Sequence, residues 1–291
     1  MSDSNQQGDA ATSGGAFQAP FRLARARSHV LAAACIDGRY RIDLAVPAGE
    51  APAGGWPAVL LLDAEGAFAT CVEAVRRMGR RPDATGANPL LVIGVSALAS
   101  EDPLAPGNPL VRRRRDFTSR RDGQAESGGA PGFLRFLTEE VLPLVAEEAP
   151  VDPEGLTLFG HSLAGFFALW VLANRPEAFR SYAAISPSIW WDREGLLAGL
   201  DRLDGRDRRA LLLLGQWEHQ LPAWQLGHPG LDEVRARRGE RRLLENAREV
   251  AALLQRRLGA ARARFELLAD EDHASIVSAA IPRMLRMASG H

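Results

Sequence analysis

The chain has 291 residues, 46% of them hydrophobic and 24% charged, with a formal net charge of −1. That length and apolar share suffice for one large core. The balanced charge gives no reason to expect nucleic acid or an anionic membrane as partner, and no apolar run reaches the ~20 residues of a membrane span.

Residues 1–19 are rich in Ser, Gly, Ala, Gln and Asp. They are expected to form a disordered tail, followed by a single domain over residues 20–291. The N-terminus lacks the basic start and apolar run of a secretory signal, so the cytoplasm is the expected compartment. Cys35 and Cys71 lie in apolar stretches, outside any CxxC pair or His cluster. They are expected to be small buried residues, with no disulfide and no metal site. All basic side chains are arginine, which we read as coding bias.

In chain order, Tyr40 to Val46 alternates and stops at Pro47, an early antiparallel strand. Residues 50–55 read as a turn. Ala58 to Leu62 is an unbroken apolar run, as in a parallel strand buried on both faces. A helix is expected over 68–79, a buried strand over 90–95 and a long amphipathic helix over 132–148. Strands follow at 156–159, 182–185, 210–214 and 263–268. Helices are expected over 164–174, 243–258 and 276–287. This alternation predicts an α/β protein with a mostly parallel central sheet flanked by helices. Residues 98–131 and 216–242 show no clear strand and are the long excursions in which a binding region could be built.

The strongest local signal is Leu156-Thr-Leu-Phe-Gly160-His161-Ser162-Leu163-Ala164-Gly165. A buried strand, a Gly-x-Ser turn and an apolar helix make the context of a nucleophile elbow, in the α/β-hydrolase fold. Ser162 would be the nucleophile, and the N–H of Leu163 would face the developing oxyanion at a helix start. The usual final glycine is replaced by Ala164. Serine needs a base, and in this fold the chain order is Ser, acid, His. His273 sits in the polar loop Asp270-Glu-Asp-His-Ala-Ser275, where the base belongs. His161 is expected to point elsewhere on the elbow. For the acid, Glu218 after the 210–214 strand is preferred. Asp192 competes, and Asp270 and Asp272 are neighbours on the His273 loop. The second oxyanion donor is expected from the loop after Leu62, at Ala64 or Glu65.

Several segments together resemble the bacterial hydrolases grouped with siderophore esterases, of the enterochelin and salmochelin esterase type, within a wider esterase-D-like branch. They are Leu60-Leu-Leu-Asp63, Arg115-Asp-Phe-Thr118, Gly128-Gly-Ala130, the elbow, Ile185-Ser-Pro-Ser-Ile-Trp-Trp-Asp192 and Glu271-Asp-His-Ala-Ser275. The Ser-Pro-Ser-x-Trp-Trp piece is the most specific. The resemblance runs from about Tyr40 to Met287 and supports Ser162 and His273. Some members of the group are described as working with a Ser–His dyad, which leaves Glu218 open. This chain departs from the group's pattern at Ala164, Ala274, Ser119 and the 63–66 loop.

The expected reaction is hydrolysis of a small-molecule carboxylic ester through an acyl-enzyme, without cofactor. The resemblance implies a catecholate siderophore ester. A generic short-chain ester, an S-formylglutathione-type thioester and a non-catalytic binding module are the alternatives. Trp190 could stack on an aromatic acyl group. Arg115, in the run Arg112 to Arg115, could meet an anionic substrate. His161 is counted with these two as substrate-binding.

Overall fold

The apolar runs form the centre of one sheet. The computed structural model describes residues 22–98, 109–119, 126–205 and 207–291; the tail expected over 1–19 lies outside them. The strands are β1 (Ala26–Ala32), β2 (Arg39–Ala45), β3 (Trp56–Leu62), β4 (Leu91–Ala97), β5 (Val151–His161), β6 (Ser181–Ile185), β7 (Arg209–Gly215) and β8 (Ala263–Leu268). They lie in the order β1-β2-β4-β3-β5-β6-β7-β8. β2 pairs antiparallel with β1 and β4, and every other pairing is parallel. Right-handed crossovers of this kind bring the C-terminal ends of the parallel strands to one edge.

The helices are α1 (Phe68–Met78), α2 (Pro82–Thr85), α3 (Pro109–Phe117), α4 (Ala130–Arg135), α5 (Leu142–Glu148), α6 (Leu163–Asn174), α7 (Arg193–Asp201), α8 (Leu231–Arg241), α9 (Leu243–Leu258) and α10 (Ile276–Ala288). Successive residues of β3 feed opposite cores. Ala58, Leu60 and Leu62 pack with α4, α6, α7 and α9, while Val59 and Leu61 pack with α1 and α10. α6 is buried on nearly all sides, which is why its sequence shows no polar face.

Beyond the expected elements stand β1, α2, α3, α7 and α8, and one expected helix is divided. The helix expected over 132–148 is α4 and α5 joined by a π-helical turn, Phe136–Val141. The turn falls just before Pro143, which has no N–H to continue a regular ladder. β1 gave no strand signal because it is an edge strand with most side chains exposed. The second excursion holds α8, which buries none of its residues and so has no apolar period to read.

Candidate active site

β5 ends at His161, and Ser162 follows with φ 59° and ψ −116°. This is a strained conformation for a side-chain-bearing residue, of the kind held at functional turns. A methyl on Gly160 would stand 2.1 Å from the carbonyl oxygen of Ala164, so only glycine lets the strand pass the helix start. The methyl of Ala164 itself is accommodated, fully buried in the core. The Ser162 N–H donates to the Ile185 carbonyl at 2.8 Å, and the Ser188 N–H donates to the Ser162 carbonyl at 2.9 Å. The end of β6 thus holds the turn in place. The Ser162 and Ser188 hydroxyl oxygens are 3.4 Å apart.

Glu218 closes a 3-10 turn directly after β7 and is 5% exposed. Its Oε2 lies 2.5 Å from His273 Nδ1. Its Oε1 accepts the Gly215 N–H at 2.9 Å and the Ser186 hydroxyl. Burial alone would raise the Glu218 pKa, but hydrogen bonds from His273, Ser186 and Gly215 outweigh it and hold the carboxyl below its usual range. A carboxylate on Nδ1 fixes the proton there and leaves Nε2 of a neutral imidazole as the acceptor.

The His273 loop is itself fixed. Asp272 accepts the N–H groups of Ala274 and Ser275 at 2.7 and 2.8 Å. The Trp217 N–H donates to the Glu271 carbonyl at 2.9 Å and ties this loop to the Glu218 turn. Asp192, the competing acid, is occupied elsewhere. It caps α7 through the Gly195 N–H and accepts the Ser119 hydroxyl at 2.9 Å, a bond that a proline at 119 could not make.

At the oxyanion side, Asp63 adopts φ 49° and turns the chain into the 3-10 turn Ala64–Gly66. Leu61 is in register with Phe159, so Ala64 and Ser162 each lie three residues beyond a paired position of neighbouring strands. Leu163 opens α6, where the first N–H groups have no intrahelical partner. Arg113 donates to Asp63 Oδ2 at 2.5 Å and reaches the His161 carbonyl at 3.5 Å, clasping this loop to the elbow.

A cavity of about 380 Å³ adjoins His273 and Ser188, with Trp190, Trp217 and arginines of α8 in its wall. Trp190 thus borders the cavity. Two other expectations are corrected. Arg115 does not reach the cavity: it is bound to Asp116 at 2.8 Å and to the Asp37 carbonyl at 2.7 Å, beside Tyr40. The basic residues at the cavity come from α8 instead. His161 does not point away from the base: its ring centroid lies 4.5 Å from that of His273. Burial first, then the neighbouring His273, push its pKa down to about 4. Trp191 is 8% exposed and belongs to the core. Cys71 is buried, but Cys35 is only partly so, and both are free thiols.

Sequence reasoning gave no role to Ser186 or Ser188, and placed Arg113 only in the arginine run that could meet an anionic substrate, whereas it binds Asp63. The Ser-Pro-Ser segment carried a signal, since it was the most specific motif; its two hydroxyls contact Glu218 and Ser162. Arg113 carried none, being one arginine in a run of four.

Comparison with known proteins bears on the family and the fold. The family model described as "Putative esterase" matches residues 33–244. Ferri-bacillibactin esterase BesA of Bacillus subtilis is 33% identical over 86% of this chain and 84% of its own. A siderophore enterobactin esterase of Emericella nidulans is 32% identical, covering 84% of this chain and 88% of its own. Among solved structures, the BES protein from Bacillus cereus superposes with a TM-score of 0.76 at 25% identity, over 94% of this chain and 98% of that one. This chain belongs to the esterase family, on an α/β-hydrolase fold.

Proposed function

We propose that this esterase hydrolyses the ester bonds of a catecholate siderophore, with Ser162 as nucleophile, His273 as general base and Glu218 as the carboxylate that orients the base. The observation that carries the catalytic part is the buried Glu218 at 2.5 Å from His273 Nδ1, in a loop that also borders the cavity beside Ser188. The substrate part is supported by the two relatives above, whose names specify siderophore esters.

In this reading Nε2 of His273 takes the proton as Ser162 Oγ attacks the ester carbonyl. The imidazolium that forms is stabilised by Glu218. The oxyanion is received by the N–H of Leu163 and that of Ala64. The alcohol leaves with the proton from His273, and water, activated by the same base, releases the acyl group. The reaction needs no cofactor. We keep the cytoplasm as the compartment and a single domain over residues 20–291 as parts of the same proposal. Among the described residues no helix is long and apolar enough to cross a membrane.

The test is intact-mass labelling with a fluorophosphonate, alongside turnover of a catecholate trilactone. We expect one adduct on the wild type, none on Ser162→Ala, and trilactone cleavage by the wild type alone. A folded wild type that is not labelled would remove Ser162 from the mechanism. Cleavage of short aryl esters but not of the trilactone would remove the siderophore.

A further inference from the structure

An oxyanion shared by two N–H groups needs those groups at a fixed spacing. Leu163 opens α6 after β5, and Ala64 lies in the turn after β3. The β3–β5 pairing ends at Leu61 and Phe159, so the strand ladder stops short of both donors. Beyond it each turn is held by its own neighbours. The elbow rests on the end of β6. The turn at Ala64 rests on β4: a methyl on Gly94 would stand 2.8 Å from Ala64 Cβ and 2.9 Å from the Phe68 ring, so glycine there makes the seat. Asp63 enters this turn at φ 49°, a conformation that costs energy outside glycine.

One side chain joins the two turns, and it comes from α3. The four arginines of that helix have four different sets of partners. Arg112 donates to the Arg39 and Leu98 carbonyls, each at 2.9 Å. Arg114 faces Glu126 at 3.7 Å. Arg115 binds Asp116 and the Asp37 carbonyl. Phe117 packs on Phe133 and Phe167, with ring centroids 5.3 and 5.8 Å apart. The helix is thereby fixed to its surroundings before Arg113 is considered. Arg113 turns to the site. Its Nε donates to Asp63 Oδ2 at 2.5 Å, its Nη2 reaches the His161 carbonyl at 3.5 Å, and its guanidinium lies over the Phe117 ring at 5.6 Å. Asp63 immediately precedes Ala64, and His161 stands two residues before Leu163. A planar fork of N–H groups can serve two such acceptors at once. Burial pushes the Asp63 pKa up, and Arg113 is the main influence against it. The wall of the cavity beside His273 does not include Arg113.

We infer that Arg113 is a positioning residue, which sets the spacing of the Ala64 and Leu163 N–H groups without touching the substrate. This rests on the hydrolase reading above. As Ser162 Oγ bonds to the ester carbon, the carbonyl π pair moves onto oxygen, and the two N–H groups receive that charge. A group that spaces them acts on the transition state and leaves ground-state binding alone.

Steady-state kinetics of Arg113→Met, Arg113→Lys and Asp63→Asn on 4-nitrophenyl acetate, beside the affinity for a trifluoromethyl ketone, tests this. The ketone adds Ser162 Oγ and leaves an oxyanion in the same place. Arg113→Met should lower kcat about thirtyfold with KM within about twofold, and weaken the ketone by a similar factor. Arg113→Lys should lose nearly as much, because one ammonium cannot reproduce the fork. Asp63→Asn/Arg113→Met should fall little below the worse single variant, because both cut one link. Methylguanidinium should restore part of the activity of Arg113→Ala, which a general loss of packing would not allow. A loss carried by KM would make Arg113 a substrate contact and overturn the assignment. So would undiminished ketone affinity, or full activity in Arg113→Met. If Arg113→Met does not fold, Asp63→Asn and the methylguanidinium rescue decide the matter. A folded wild type that neither binds the ketone nor reacts with the fluorophosphonate would instead overturn the hydrolase reading beneath.

Discussion

Around Ser162 the polar groups are held by others that are themselves buried, whereas along α8 the arginines end in solvent. Ser162 is pinned by the end of β6 and by Ser188 just after it, and Glu218 spends both oxygens on Gly215, Ser186 and His273. Arg237 and Arg241 touch little besides the Trp190 ring. The difference is one of fixation. Bond-making needs groups fixed to fractions of an ångström before the substrate arrives, and the exposed α8 wall of the cavity is not held in that way.

The sharpest way to break that comparison is Glu218→Gln. If the buried carboxylate orients and stabilises His273, kcat should fall about 10⁴-fold with little change in KM. A loss below tenfold would mean that a Ser–His dyad operates and that the buried side is less committed than its geometry suggests. Next is Ser186→Ala, which leaves Glu218 Oε1 with the Gly215 N–H alone. One hydrogen bond of about 1–1.5 kcal/mol predicts a fall in kcat of about tenfold, again without a KM change, read by steady-state kinetics.

His161→Phe tests the buried side through pH. The imidazole has a pKa of about 4 in the folded chain against 6.5 as its ordinary value. Between those values the unfolded chain binds a proton that the folded chain does not, so this group makes stability rise with pH across that window. The phenylalanine variant should therefore lose less melting temperature than the wild type between pH 6.5 and pH 4. A wild type and variant with parallel curves would mean that His161 titrates freely. The smallest effect belongs to α8. Arg237→Gln/Arg241→Gln should change stability by no more than about 0.5 kcal/mol in denaturant unfolding, because exposed side chains with few partners contribute little.

Much of this was legible in one dimension. The parallel strands announced themselves because strands buried on both faces must be continuously apolar, as Ala58 to Leu62 and Ala210 to Leu214 are. Ser162 and His273 were legible because the elbow needs small residues at fixed offsets, and Gly160 meets the Ala164 backbone if it is anything else. Glu218 was legible as the carboxylate just past the end of a buried strand. β1 and α8 were not, because both are largely exposed and their side chains obey no period.

What the sequence determined by itself was therefore the fold and the residues proposed as nucleophile and base, since local steric rules and burial leave few other residues able to stand there. Only the tertiary structure decided which arginines face the cavity, where the His161 ring lies and what the Ser-Pro-Ser hydroxyls do. Arg115 and Arg237 are chemically the same; a turn of α3 binds the first to Asp116 and Tyr40, and a turn of α8 leaves the second at the cleft. The direction of a side chain depends on helix rotation and on partners far away in sequence, and spacing along the chain does not encode either.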